Sequence, residues 1–179
     1  MAGAPQGRIQ PIVRIQREDF DAGGEIARLT AGRKDIGATV SFCGLCRDEG
    51  GRDEGGRDGG GRLAALELEH YPGMAEAEIG RIAAQAAARW PLAGLVVVHR
   101  HGLIAAGERI VLVVAAAAHR QAAFEAASYV MDFLKTQAPF WKREHFADGT
   151  PGPWVETAAG DDEALARWRQ AQPDPFTSR

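Results

Sequence analysis

Two lysines seven positions apart are the residues of this chain best suited to chemistry. Lys135 lies near the end of a predicted helix, and Lys142 follows the Ala138-Pro139 break and the aromatic pair Phe140-Trp141. Two ammonium groups facing one pocket wall would hold an anion, or would lower the pKa of one lysine toward nucleophilic use. A structural role stays open for Lys135, because the helix dipole stabilises a cation in the last turn by roughly a few tenths of a kcal/mol.

Further cations flank the same helical stretch. His119 and Arg120 open it, Arg143 directly follows Lys142, and Arg47 stands at the end of a strand predicted earlier in the chain. Phosphate and carboxylate groups are the ligands that such side chains share. The sequence therefore indicates a local site for an anion.

Hydrophobic periodicity predicts the helix that separates these cations. Its apolar positions recur at three- and four-residue steps, and its polar positions lie on the opposite side. The apolar positions are Phe124, Ala127, Met131 and Leu134, and the polar ones are Gln121, Glu125, Ser128, Asp132 and Lys135. This pattern is typical of an amphipathic helix and places Met131 in the core.

The rest of the chain predicts the elements that position this helix. Strands are predicted at residues 9–15, 36–42, 63–69, 95–99, 109–117 and 154–156, and helices at residues 21–31, 74–89 and 162–170. Pro11 favours a sheet edge for the first strand, and the apolar content of the second favours burial on both faces. Because strands and helices mix without regular βαβ alternation, the pattern indicates an α+β fold.

At 179 residues the chain is expected to fold as one domain. Residues 47–62 contain only Arg, Asp, Glu and Gly. Such a segment buries no apolar surface, so it predicts a flexible loop. Flexible ends are expected at residues 1–8 and 171–179.

Composition excludes several classes of function. Twenty-one Lys and Arg against 24 Asp and Glu give a net charge of −3, which argues against a general nucleic-acid-binding protein. No apolar stretch approaches the roughly 20 residues of a membrane span, and the first ten residues lack the apolar core of a secretion signal. A cytoplasmic protein is the expectation.

The two cysteines, Cys43 and Cys46, form one CxxC motif. A structural zinc site normally needs four ligands, and no second CxxC or finger-like histidine spacing is present. A redox CxxC normally opens a helix, whereas this one ends a β-branched run. We therefore expect two reduced thiols, and no metal.

Five stretches of the sequence, in this order, resemble the MoaE family, the large catalytic subunit of molybdopterin synthase. They are GATVSFCGLCRD, LELEHYPGM, RWPLAGLVVVHRHG, AHRQAAFEAASYVMDFLKTQAPFWKRE and WVE, which fall within residues 36–156. The segment MDFLKTQAPFWKRE is long and chemically unusual, which makes the resemblance specific.

The resemblance implies an α/β-hammerhead-type α+β fold with a mixed sheet and a small additional antiparallel β subdomain. It implies a homodimer that binds a small ubiquitin-like, MoaD-like sulfur carrier at each end, giving a heterotetramer. The carrier's C-terminal Gly-Gly thiocarboxylate donates sulfur to cyclic pyranopterin monophosphate, and two transfers form the dithiolene of molybdopterin. No cofactor is required.

Roles for individual residues follow from the matching positions. The resemblance implies that Lys135 and Lys142 are catalytic, and that His119, Arg120 and Arg47 hold substrate. Arg143 and Glu144 complete the matching block and are grouped with the substrate-binding residues.

The chemistry of the side chains indicates which residues bind substrate and which take part in the reaction. A guanidinium fork suits phosphate oxygens, whereas a lysine can also exchange a proton. Lys135 is expected to stabilise developing charge or move a proton, and Lys142 to neutralise the thiocarboxylate. An alternative function remains a non-catalytic dimeric adaptor, whose basic pocket binds an acidic C-terminal tail or a nucleotide.

Overall fold

The computed structural model describes residues 9–48, residues 62–155 and Trp168. The predicted tails at residues 1–8 and 171–179 lie outside these residues. So do residues 49–61 of the predicted loop, the end of the last predicted strand at Glu156, and all of the predicted helix at residues 162–170 except Trp168.

The described chain forms eight strands and three helices. The strands are β1 (Ile12–Gln16), β2 (Ala38–Leu45), β3 (Leu63–His70), β4 (Leu92–Arg100), β5 (Gly102–Ala105), β6 (Arg109–Ala117), β7 (Phe140–Phe146) and β8 (Pro151–Val155). The helices are α1 (Ala22–Thr30), α2 (Met74–Arg89) and α3 (Arg120–Gln137). None of these helices combines the length and the apolar content that a membrane crossing needs.

The first sheet has the strand order β1-β4-β6-β2, with β1 parallel to β4 and the other pairs antiparallel. Strands β4 and β6 are long apolar runs in its centre. Val96, Val98, Leu112 and Val114 pack against α1, and the alternate side chains pack against α2 and α3. The edge position predicted for the first strand is confirmed.

The prediction that the second strand is buried on both faces was wrong. Strand β2 is the other edge of the first sheet, and Phe42 and Leu45 are 44% and 56% exposed. An apolar run is typical of a strand covered on both faces, but among the described residues β2 pairs with β6 alone, and the side chains of Phe42 and Leu45 are left uncovered.

Helix α3 is present, but its buried face differs from the predicted stripe. Phe124 is 60% exposed, whereas Met131 packs partly buried against the core as predicted. The buried residues are Ala122, Ala123, Ala126, Ala127, Tyr129, Val130 and Leu134. Small alanine side chains let the helix lie close to the sheet, so the larger Phe124 stays outside.

The second sheet has the order β5-β3-β7-β8 and is antiparallel throughout. It is the small antiparallel subdomain of the expected α+β fold, which the structure confirms. Two of its strands were missed. The segment after Pro139 was expected only as a break after the helix but forms β7, and β5 has only four residues, too few for a visible alternation.

Trp168 packs against the helices rather than against the second sheet. Its ring lies 5.6 Å from that of Trp90 and 5.4 Å from that of Tyr129. Its indole N–H donates a 2.6 Å hydrogen bond to Asp132 on α3. The chain therefore returns to α2 and α3 beyond β8.

Candidate functional site

A cavity of about 960 Å³ opens where the end of β2 meets the second sheet and the last turn of α3. Its lining residues are Phe42, Cys43, Gly44, Leu45, Cys46, Arg47, Asp48, Arg62, Leu63, Leu66, Ala106, Gly107, Ile110, Lys135, Glu144 and Phe146. Apolar side chains form much of the wall, and three cations and two carboxylates are set among them. Such a wall around a few charged groups is typical of a small-molecule site.

Lys135 reaches this cavity because of where α3 ends. The last turn closes with a hydrogen bond from the Ala138 N–H to the Leu134 carbonyl oxygen, at 3.3 Å. Leu134 points into the core, whereas its neighbour Lys135 is exposed and lines the cavity. The last turn of the helix therefore presents the Lys135 side chain at the cavity wall.

Lys142 and Glu144 lie on one face of β7. They pair with Leu68 and Leu66 of β3, and successive side chains of a strand alternate between faces. Glu144 lines the cavity. Lys142 is not among the lining residues, but it lies two positions away on the same face of the sheet. The structure therefore brings the two predicted lysines to one region.

Arg47 lies at the rim, where the chain leaves β2. Backbone hydrogen bonds fix the preceding residue: the Cys46 N–H donates to the Glu108 carbonyl at 2.8 Å, and the Gly107 N–H donates to the Cys46 carbonyl at 2.6 Å. These bonds hold the backbone next to Arg47 against the turn between β5 and β6. The predicted arginine therefore lines the cavity from a well-anchored position.

Sequence reasoning missed Arg62, which also lines the cavity. It was assigned to the flexible loop because its neighbours are Gly, Arg and Asp. Its guanidinium Nε donates a 2.8 Å hydrogen bond to Asp48, at the other end of that loop. Its position directly before a predicted strand was the available signal.

The two cysteines are free thiols on the cavity wall. Cys46 is buried, with 2% of its surface exposed, and burial raises the pKa of its thiol. Burial also raises the pKa of the Cys43 thiol, which favours the neutral form of both. The motif begins in β2 and ends at Cys46, one residue beyond the strand, instead of opening a helix. Among the residues that the structure describes, no group of three or more His, Cys, Asp or Glu side chains is placed to hold a metal ion.

His119 and Arg120 lie at the other end of α3. His119 is the residue that caps its N-terminus, and both residues line a second cavity of about 390 Å³. Fifteen residues separate Arg120 from Lys135 along the helix, a distance of about 22 Å at 1.5 Å per residue. One protomer therefore does not bring these two residues together with the lysines.

Arg143 lies on the face of β7 opposite to Lys142 and Glu144. Its guanidinium lies 5.6 Å from the centre of the Trp154 ring, and its Nε donates a 3.2 Å hydrogen bond to the carbonyl of Gly152. These contacts tie β7 to β8. Of the predicted site residues, Arg47, Lys135 and Glu144 share the large cavity, Lys142 lies beside it, and His119, Arg120 and Arg143 lie elsewhere.

Comparison with known proteins gives consistent matches over most of the chain. The family model described as "MoaE protein" matches residues 15–137. A protein of Mesorhizobium japonicum named molybdopterin synthase catalytic subunit is 63% identical over 163 residues, which cover 91% of this chain and 96% of the relative. A protein of the same name from Brucella melitensis is 58% identical, with 88% of this chain and 91% of the relative covered.

Solved structures agree with these sequence matches. The molybdopterin biosynthesis MoaE protein from Burkholderia ambifaria superimposes with a TM-score of 0.73 at 44% identity, covering 89% of this chain and 98% of that one. Molybdopterin synthase from Staphylococcus aureus gives a TM-score of 0.65 at 28% identity, covering 79% of this chain and 95% of that one. The family match and the high identity of the relatives lead to one conclusion: this chain belongs to the MoaE family.

Proposed function

We propose that this protein is the catalytic subunit of a molybdopterin synthase, which transfers sulfur from the C-terminal thiocarboxylate of a small ubiquitin-like subunit to cyclic pyranopterin monophosphate. The observation that carries the proposal is the cavity that Arg47 and Lys135 both line, with Lys142 two positions along β7 from the lining residue Glu144. Relatives up to 63% identical carry the name of this subunit. Both reactants are anions, and a cation-lined cavity suits them.

For each sulfur, the reaction needs one new C–S bond and one hydrolysis of a thioester. The thiocarboxylate sulfur uses its electron pair to form a C–S bond with the pterin side chain, which leaves an acyl thioester to the carrier. Water then attacks the acyl carbon, the acyl C–S bond breaks, and the carrier leaves as a carboxylate. As the first C–S bond forms, a C–O bond of the cyclic phosphate breaks, and the ring opens to a phosphate monoester. A second carrier supplies the second sulfur of the dithiolene, and there the side-chain oxygen leaves as water.

We assign Lys135 to the charged steps of this reaction. Its position on the cavity wall suits stabilisation of the negative charge that forms when water attacks the acyl carbon, or transfer of a proton to a leaving oxygen. Either role contributes about 10²- to 10⁴-fold to the rate when the geometry is tight.

Lys142 and Arg47 are assigned to the two anionic groups, the thiocarboxylate of the carrier and the phosphate of the pterin. Lys142 lies on the same sheet face as Glu144, two positions from this cavity-lining residue, and its proposed role is to neutralise an incoming thiocarboxylate. Arg47 lies on the rim and offers a planar fork to the phosphate of the pterin. The carrier's Gly-Gly end has no side chains, which suits entry into a cavity walled by Leu66 and Ile110.

A second copy of this chain would complete the site. His119 and Arg120 lie about 22 Å from Lys135 along α3, too far to touch the same substrate from one protomer. In a homodimer, the partner copy can place its own α3 N-terminus beside this cavity. A homodimer with one carrier at each end gives the heterotetramer proposed from the family resemblance. We place the reaction in the cytoplasm, where free thiols such as Cys43 and Cys46 persist.

The experiment separates this function from a non-catalytic adaptor. The purified protein is incubated with cyclic pyranopterin monophosphate and a thiocarboxylated carrier, and the dithiolene product is measured. Turnover supports the synthase. Tight binding of the carrier without any product would instead favour the adaptor, whose basic cavity only captures an acidic tail.

A further inference from the structure

Arg62 and Asp48 form an ion pair at the mouth of the large cavity. The Arg62 Nε donates to one carboxylate oxygen of Asp48 at 2.8 Å, and the backbone N–H of Leu63 donates to the other at 3.2 Å. Leu63 begins β3, and Asp48 lies two residues beyond the anchored Cys46. The carboxylate of Asp48 therefore holds the Arg62 side chain at one place on the rim.

The Arg62 side chain is 80% exposed in spite of this contact. A guanidinium carries five N–H donors, and within the described part of the chain the contacts of Arg62 engage only Nε. The Nη atoms, which form the outer part of the fork, remain available to a ligand. A fork of this kind matches the oxygens of a phosphate.

Charge on the cavity wall also favours an additional anion contact. Three lining residues are cations (Arg47, Arg62 and Lys135) and two are anions (Asp48 and Glu144), which leaves a net charge of +1 on the lining residues. A cyclic phosphate and a thiocarboxylate together bring two negative charges. Without Arg62 the lining residues would carry no net charge. The phosphate and the thiocarboxylate would then face the negative charge of Glu144 with no excess positive charge to offset it.

We propose that Arg62 is a substrate-binding residue, which holds the phosphate of the pterin at the mouth of the cavity, and that Asp48 positions its guanidinium. The inference rests on the proposed function and adds a residue to its site. The competing explanation is that the Arg62–Asp48 pair only joins the two ends of the segment between them. Exposed ion pairs contribute little to stability, so the two explanations predict different measurements.

Equilibrium binding of cyclic pyranopterin monophosphate by the intact protein, measured by calorimetry, tests the proposal without requiring turnover. Arg62→Gln is expected to raise the Kd about tenfold, as loss of a charge-assisted contact does, and Arg62→Lys to recover part of that loss. Arg33→Gln is the matched control. Arg33 forms an exposed ion pair with Asp35 and does not line the cavity, so this variant makes the same charge change elsewhere.

Asp48→Asn separates substrate binding from loop closure. Asparagine keeps an acceptor for Leu63 but no longer holds the Arg62 guanidinium, so the Kd should rise, and by less than in Arg62→Gln because the guanidinium itself is still present. If the pair only joins the two ends of the segment, neither Arg62→Gln nor Asp48→Asn should change the Kd, and both should lower the melting temperature by a similar small amount.

An unchanged Kd in Arg62→Gln would overturn the inference. Sulfur transfer is measured on the same preparations. Normal turnover with an unchanged Kd refutes the role of Arg62 alone, whereas absence of product from the unaltered protein refutes the proposed function.

Discussion

Lys135 can act on the reaction through its charge alone or by exchanging a proton. Its position in the last turn of α3 suits the helix dipole, and it also lines the cavity. Lys135→Gln should lower the turnover rate by about 10²-fold or more and leave carrier binding nearly unchanged, as expected for a group that acts in the transition state. If the lysine only complements the dipole, stability falls by roughly a few tenths of a kcal/mol and turnover persists.

Lys135→Arg is the sharper control. Arginine keeps the positive charge but does not exchange its proton readily. We expect severe impairment of steady-state turnover. A near-normal rate would reduce Lys135 to electrostatic stabilisation.

Candidate site residues could be proposed from the sequence where their neighbours are distinctive. Lys135 and Lys142 stand out because two cations flank a Pro-containing break, and the structure brings them to one region. Arg62 could not be singled out from the sequence, because a charged glycine-rich segment has no periodicity that would show which arginine faces a cavity. The separation of Arg120 from Lys135 could have been read from the length of the predicted helix.

At the scale of elements, the segment between β2 and β3 is expected to be dispensable for folding. Residues 49–61 are charged or glycine, so their replacement by a short Gly-Ser linker loses no apolar burial. Loop-closure entropy changes slowly with length, and the melting temperature should stay within about 5 °C. Asp48 and Arg62 must be kept, because Asp48 bonds both Arg62 and Leu63.

Thermal unfolding of the linker variant checks this prediction. A variant that replaces Asp48 as well measures what the ion pair adds. A fall in melting temperature far beyond 5 °C with Asp48 and Arg62 intact would show that residues 49–61 carry packing of their own.

Most of the elements were predictable, but their burial was not. Residues 74–89 and 109–117 were predicted with the bounds that the structure has. The apolar run in β2 does not reveal that the strand lies at an edge, and two helical stripes were possible in α3. Which stripe is buried depends on how closely the alanines approach the sheet. Strand β7 was masked by the turn-forming Pro139 and by its run of charged residues.

At the scale of the whole molecule, acid is expected to weaken the fold through His99. Its ring stacks on Phe140 with the ring centres 4.1 Å apart, and its Nδ1 lies 2.8 Å from the carbonyl oxygen of Arg100. Burial lowers the pKa of His99 to about 4, below the ordinary value of 6.5. The unfolded chain therefore takes up a proton first as the pH falls.

The free energy of unfolding should consequently fall between pH 6.5 and about 4, with no effect of His99 above that window. A full shift of this size corresponds to at most about 3 kcal/mol. Chemical denaturation across this pH range measures the slope. His99→Phe keeps a ring but cannot be protonated, so its free energy of unfolding should depend less steeply on pH. An identical pH dependence would exclude His99 as a source of the acid destabilisation.

Mixed dimers test whether the site is shared between two copies. Arg120→Ala and Lys135→Gln should each be poorly active as homodimers. If one copy supplies Arg120 and the other supplies Lys135, co-expression should restore one intact site in each mixed dimer, because the two substitutions then fall in the same second site. Recovered turnover, up to about half of the normal rate per mixed dimer, supports the shared site. No recovery in a purified mixed dimer would contradict the shared site.

Sulfur transfer itself is tested most directly by following the sulfur atom. The carrier is prepared with an isotopically labelled thiocarboxylate and mixed with the unaltered protein and cyclic pyranopterin monophosphate, and the product is analysed by mass spectrometry. The proposed function predicts a dithiolene in which both sulfur atoms carry the label, with two carriers converted to carboxylates for each product. Stable carrier binding with no labelled product would contradict it.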